Sequence, residues 1–368
     1  MKLFRCSCAE RPLLHFENTS CGRCGRLVGF VPGRLALAAF VPANGDGGDE
    51  GLWRDDAGGR HRPCANRVQH GACNWTVPEG DPEPFCEACR TNLLVPDLSV
   101  AANLPPWRAL EAAKRRCLFT LRELGLPLEG VAGVPPLRFR FMTARDSGSN
   151  FERPLPGAEP VITGHENGVV TIDLAEADAV ARTRAQVAMD EGYRTPLGHF
   201  RHETGHYAWT LFGALAPDFP ERFRARFGDE RADYAAALEA HYGSGPRPDW
   251  RARHVSAYAS AHPWEDFAET WAHYLHIVDT LETQQSFAAV SALAAPDARA
   301  AALPFAVGAA RDANHDDFDA ILALWVEATL MMNALNRSMG LPDPYPFVLV
   351  EAVVDKLRFV HEELLALR

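Results

Sequence analysis

The 368-residue chain is predicted to be α+β and built in two parts: a cysteine-rich N-terminal module over 1–95, then a mainly helical domain with a small β-sheet over 96–368. Three observations carry this. Eight of the nine cysteines lie in the first 90 residues. Period-two alternation of apolar residues marks two short runs between 137 and 174. Beyond residue 195, apolar residues recur mostly at helical spacing.

The cysteines form two clusters, Cys6, Cys8, Cys21, Cys24 and Cys64, Cys73, Cys86, Cys89. Each ends in Cys-x-x-Cys, and each has twelve residues between its inner cysteines. A short turn brings two thiolates to one metal ion, and two such turns complete a tetrahedral Cys₄ site. The start, Met1 to Cys6, lacks the apolar core of a signal peptide, and no run of eighteen apolar residues occurs. A cytoplasmic location is therefore expected, where paired cysteines read as metal ligands more readily than as disulfides. Two structural zinc ions are expected, with rubredoxin-like iron as the chemical alternative. Whether the clusters bind metal separately or exchange ligands stays open at this level.

Zinc ribbons often bind nucleic acid, but residues 1–90 balance eleven Lys/Arg against eleven Asp/Glu. With a net charge of −11 overall, the chain is not expected to bind nucleic acid. A structural or protein-binding module is expected instead. Asn44 to Glu50 reads as a loop and 91–106 as a connector.

A helix is predicted from Trp107, with Leu110, Ala113, Cys117, Phe119 and Leu121 inside and Lys114, Arg115 and Arg116 outside. Cys117 reads as a small buried hydrophobe. Leu137 to Met142 and Gly168 to Leu174 read as strands, the second after an Asn167-Gly168 turn. Such strands either hold an extended peptide or merely cover the next helix. Glu176 to Glu191 reads as helical. Thr195 and Pro196 then supply an N-cap and first helical residue for a helix to about Gly213.

That helix contains His202-Glu203-x-x-His206. Positions i and i+4 share a face, so both histidines can bind one Zn²⁺, with Glu203 as base for a metal-activated water. Pro263 to His276 reads as a second helix, whose Glu265 and Glu269 also share a face. One glutamate can complete a His₂Glu site and the other can orient a ligand histidine. His199, His262, His273 and His276 leave a His₃ site open, whereas the metzincin pattern is excluded by Trp209 and Phe212. In the last third, Phe318 to Leu330 and a run from Phe347 to Val360 read as helices. Asn333 and Asn336 are expected to face solvent, and His315 to Phe318 reads as a helix start.

His202-Glu203-x-x-His206 followed by Glu265-Asp266-Phe267-Ala268-Glu269 resembles the gluzincin peptidases, the group that includes the catalytic domain of anthrax lethal factor. This resemblance implies Glu265 as metal ligand, Glu269 as support for a ligand histidine, and Tyr258 as oxyanion partner. A longer resemblance, through Cys73-Asn74-Trp75, Pro96-Asp97-Leu98-Ser99, Tyr193-Arg194-Thr195, Gly198 to Tyr207 and His262 to Glu269, is to a bacterial family of zinc-binding metallopeptidases with an N-terminal zinc ribbon. It implies a double zinc ribbon with two Cys₄ sites over 1–95 and a zincin-like metallopeptidase domain over 96–368. The expected activity is hydrolysis of peptide bonds with one catalytic and two structural zinc ions. The expected partner is a peptide or protein, without nucleic acid or membrane. The competing expectation is a non-catalytic interaction protein with a peptidase-like domain. A third is autoinhibition, with the ribbons or the 143–166 loop covering the cleft.

Overall fold

The structure is a computed structural model. It describes residues 2–43, 51–143, 164–178, 195–294 and 317–368, with side chains of the 263–294 helix described as far as 287. Asn44 to Glu50, nearly all of the 143–166 loop, most of the 176–191 run, and His315 lie outside the described residues.

The N-terminal module opens with a small hairpin, β1 (Phe4–Arg5) and β2 (Leu13–Leu14). An antiparallel five-stranded sheet follows in the order β3 (Leu27–Val31), β4 (Ala36–Pro42), β5 (Trp53–Asp55), β6 (Arg60–Pro63), β7 (Thr76–Pro78). Two short helices, α1 (Ala65–His70) and α2 (Glu87–Arg90), begin just after Cys64 and Cys86.

The connector region contains a strand, β8 (Asn92–Leu94), that sequence reading leaves as loop. It pairs in parallel with β9 (Arg138–Met142) and joins the second sheet, β10 (Gly164–Glu166), β11 (Val169–Asp173), β9, β8 in that order. The Asn167-Gly168 turn joins β10 to β11 with positive φ at both residues, 49° and 79°. Gly168 is also required sterically, because a Cβ would lie 2.8 Å from Pro136 O.

Helix α3 (Leu104–Glu123) starts earlier than predicted, and of the three basic residues expected outside only Arg116 reaches solvent. Arg115 is buried against the ribbon module, and Lys114 is buried under the Phe139 and Phe141 rings of β9. Arg115 donates to the Ala72 carbonyl beside Cys73, and Lys114 donates to Asn92 and Glu111. Helix α4 (Pro196–Leu215) follows, then α5 (Phe219–Phe227), α6 (Tyr234–Ser244) and the short α7 (Trp250–Arg253). Helix α8 (Pro263–Ala294) runs well past His276, where the motif had suggested an end. Helices α9 (Phe318–Ser338) and α10 (Glu351–Leu365) complete the chain. The last begins at Glu351 and not at Phe347. Asn333 does not simply face solvent: its amide donates to Tyr345 O and accepts from Tyr345 N, stapling the segment before α10.

One apolar core joins the two halves, with Phe16 and Phe30 of the ribbon edge-on to Phe119 of α3 at 5.3 and 5.7 Å. Among the described residues, one helix, α9, is long and apolar enough to cross a membrane by length and composition, and Phe318, Ile321, Trp325 and Ala328 on it are buried in the fold.

Candidate active site

The site is built where α4 crosses α8. Thr195 caps α4 by accepting from Gly198 N at 2.9 Å, with Pro196 in the first turn. The start of α8 is capped by His262, whose Nδ1 accepts from Trp264 N at 3.1 Å. The two helices come close at Gly205. A Cβ there would lie 2.9 Å from Ala268 Cα and 3.1 Å from Trp271 Cδ1. That approach sets His202 and His206 opposite Glu265, and all three are buried.

His202 Nε2 lies 3.0 Å from Glu265 Oε2, and His206 Nε2 lies 3.5 Å from Glu265 Oε1. Ligands bound at about 2.0 Å in a tetrahedron sit about 3.3 Å apart. The donor set therefore fits a zinc ion held by His202, His206 and Glu265. His202 Nδ1 faces Glu269 Oε1 at 2.7 Å, and Ser256 Oγ donates to Glu269 Oε2 at 2.7 Å. Glu269 holds a proton on Nδ1, so that once Nε2 gives up its own proton His202 would present the Nε2 lone pair to a metal ion. His206 packs on Trp264 with ring centroids 4.0 Å apart and stacks against His165 of β10 at 6.2 Å.

Burial dominates the electrostatics. It pushes His206 down to about 3, so this imidazole stays neutral as a ligand must. Burial opposes charge on His202 as well, but Glu265 and Glu269 outweigh it and raise the group well above its ordinary value. Burial raises Glu265 and Glu269, yet the facing histidines prevail and hold both carboxyls low. Glu203 is different: burial pushes it up to about 7, only partly opposed by His202. Its Oε2 is buried with no hydrogen-bond partner among the described residues. Tyr258 lies with its ring 5.9 Å from His202, and its hydroxyl has no partner among the described residues.

The other histidines are engaged elsewhere. His199 pairs with Glu176, His262 faces Ala232 O, His273 bonds Tyr345 Oη, and His276 bonds Arg201. Among the described residues, no three-histidine cluster forms. Sequence reasoning missed Tyr234, whose hydroxyl donates to Glu265 Oε1 at 2.8 Å, and Ser256. Neither sits at a helical interval from the motif, so no periodic signal pointed to them.

The eight cysteines form two separate groups, Cys6, Cys8, Cys21, Cys24 and Cys64, Cys73, Cys86, Cys89, so ligands are not exchanged between clusters. All are free thiols. Sulfur separations of 3.7 Å (Cys6–Cys24) and 3.6 Å (Cys73–Cys86) match the edge of about 3.8 Å in a tetrahedral ZnS₄ site. Amides of Trp75 and Cys86 donate to Cys73 and Cys64 sulfurs at 3.3 Å each. Cys117, at a distance from both clusters, is fully buried and contacts Thr204.

Comparison with known proteins agrees with both halves. Residues 103–363 match the family described as "Putative zinc-binding metallo-peptidase", and residues 3–100 match a zinc-ribbon domain. Uncharacterised proteins of Mycobacterium tuberculosis and Mycobacterium bovis are 40% identical over 362 residues, covering 98% of this chain and 94% of theirs. No solved structure matches. With a family match over more than half its length, a matching ribbon ahead of it and two Cys₄ groups in place, the chain belongs to this family of zinc-binding metallo-peptidases.

Proposed function

We propose that the protein is a gluzincin-like zinc peptidase that hydrolyses peptide bonds, with His202, His206 and Glu265 holding the catalytic ion. The observation that carries this reading is Glu203: a buried carboxyl whose Oε2 has no hydrogen-bond partner among the described residues, beside a His₂Glu donor set. Zinc, when bound there, supplies Lewis acidity that polarises a carbonyl and makes water nucleophilic near neutral pH. Glu203 Oε2 takes the proton of the attacking water and delivers it to the leaving amine nitrogen. A carboxyl raised by burial to about 7 is suited to both transfers. Glu269 keeps the His202 proton on Nδ1. Tyr258 donates its uncommitted hydroxyl to the developing oxyanion.

Strand β10 supports the peptide assignment. It is antiparallel to β11, forms the sheet edge among the described residues, and brings His165 against His206. An extended chain added to that edge would run beside α4. The substrate is therefore a peptide or protein, and neither nucleic acid nor membrane is a proposed partner. The two Cys₄ groups hold structural zinc, giving three ions per chain, and the proposed location is the cytoplasm.

The test is Glu203→Gln assayed against a degenerate peptide library by mass spectrometry. This variant keeps the wild-type zinc content and loses cleavage by at least about a hundredfold. Cleavage at the wild-type rate would refute the mechanism.

A further inference from the structure

The centre contains two tyrosines, and their hydroxyls are in different states. Tyr258 has a hydroxyl with no partner among the described residues, while Tyr234 donates to Glu265 Oε1 at 2.8 Å. Glu265 Oε2 lies 3.0 Å from His202 Nε2, whereas Oε1, which takes the Tyr234 hydroxyl, stands farther from the nearest ring nitrogen, 3.5 Å from His206 Nε2. An ionised carboxylate only accepts hydrogen bonds, and a phenol bound to one oxygen leaves the lone pairs of the other for a cation.

The Tyr234 ring is held by its neighbours and not by its helix. It opens α6, a helix with no buried residue. Its ring packs edge-on against His262 at 5.2 Å and Trp264 at 5.8 Å, both at the start of α8. His262 Nε2 also donates to Ala232 O at 3.2 Å, two residues before Tyr234. The phenol is thus aimed at Glu265 by contacts with the same helix end that carries Glu265.

We propose that Tyr234 is a positioning residue for the metal: by occupying Glu265 Oε1 it directs Oε2 to the ion and sets how tightly the site holds zinc. This rests on the reading of His202, His206 and Glu265 as the zinc site. Tyr234 is not the oxyanion donor, because its hydroxyl is already committed.

The experiment uses the full chain loaded with zinc and a chromogenic chelator that reports zinc release over time. Three proteins are compared: wild type, Tyr234→Phe and His202→Ala. Tyr234 is 38% exposed and phenylalanine keeps its ring contacts, so the fold survives, checked by an unchanged melting temperature. The expected result is that His202→Ala lacks the fastest-released zinc. Tyr234→Phe keeps that zinc but releases it about tenfold faster, the usual cost of losing a partner of a ligand. Release of the slower, cysteine-bound zinc is unchanged. If Tyr234→Phe releases zinc at the wild-type rate while His202→Ala has lost its fast zinc, the role of Tyr234 is refuted and the site stands. If release is unchanged but kcat collapses, Tyr234 acts on substrate and the positioning role is refuted. If His202→Ala keeps every zinc, the site reading fails and the proposal falls with it.

Discussion

Gly205→Ala tests whether helix approach, and not the ligand types alone, makes the metal site. The added Cβ would sit 2.9 Å from Ala268 Cα, whereas ordinary contact begins at 3.4 Å. The obstacle is backbone, with Trp271 Cδ1 and Cβ close behind at 3.1 and 3.2 Å, so no flexible side-chain tip can yield. Helices α4 and α8 must separate by about 0.5 Å at this point, more than the roughly 0.2 Å that metal–ligand distances tolerate. Overpacking costs about 1–3 kcal/mol, and the alanine returns about 1 kcal/mol of helix propensity. The net effect on folding is at most about 2 kcal/mol, a fall of several degrees in Tm. Zinc bound by His202, His206 and Glu265 suffers more, because Gly205 lies between the histidines and Ala268 between Glu265 and Glu269 on the facing helix. The assay is zinc content by mass spectrometry after dialysis against a graded chelator series, with melting followed by circular dichroism. Gly205→Ala should retain the cysteine-bound ions and lose the third ion at chelator concentrations at least about tenfold lower than wild type. A variant that holds all its zinc as tightly as wild type would show that the close approach is incidental.

Two further outcomes are expected. Lys356→Met removes the ammonium that bonds Asp266 Oδ2 at 2.6 Å and Arg253 O at 2.7 Å, leaving a fully buried carboxylate that keeps, among the described residues, only His254 at 3.1 Å as a charged partner. Chemical denaturation should show a loss of about 3–5 kcal/mol, and a loss under 1 kcal/mol would mean the pair is not structural. His273 is lowered by burial to about 4 from 6.5, with Glu269 opposing, so between those values the unfolded chain binds the extra proton. Stability therefore falls as pH drops from 6.5 toward 4, by roughly 3 kcal/mol from this group, and His273→Gln should flatten that slope in urea titrations at several pH values.

Much of the site was legible because its chemistry is periodic. His202 and His206, and Glu265 and Glu269, are each four residues apart on a helix, and that interval fixes a shared face. The Cys-x-x-Cys turns and the Asn167-Gly168 turn are local too, set by a few dihedral angles. What was not legible depends on distant contacts. Strand β8 is three residues long and exists because β9 lies beside it. Lys114 and Arg115 look like a solvated helix face until the ribbon covers Arg115 and strand β9 covers Lys114. The hydroxyl of Tyr234 reaches Glu265 across 31 residues of sequence, from a helix with no apolar stripe to announce its place.

Other distant contacts converge on α3, which ties the cysteine module to the helical domain. On one side, buried Arg115 donates to Ala72 O and lies in the field of the Cys73, Cys86 and Cys89 sulfurs. A zinc ion with four thiolates carries a net charge of −2, and a buried guanidinium beside it offsets part of that charge in a low-dielectric setting. Glu111 and Lys114, both fully buried, extend the chain of charges to Asn92 on β8, and β8 lies beside β9 in the second sheet. On the other side, Thr120 donates to Asp279 Oδ1 at 2.7 Å, Asp279 pairs with Arg201, and Arg201 precedes His202 on α4. Cys117 touches Thr204 within the His-Glu-x-x-His motif itself. Arg115 therefore stands one helix away from His202 and His206, on the opposite side of α3 from Thr120 and Cys117. The second cysteine cluster and the His202, His206 and Glu265 group are thus linked through the packing of a single helix, without sharing a residue.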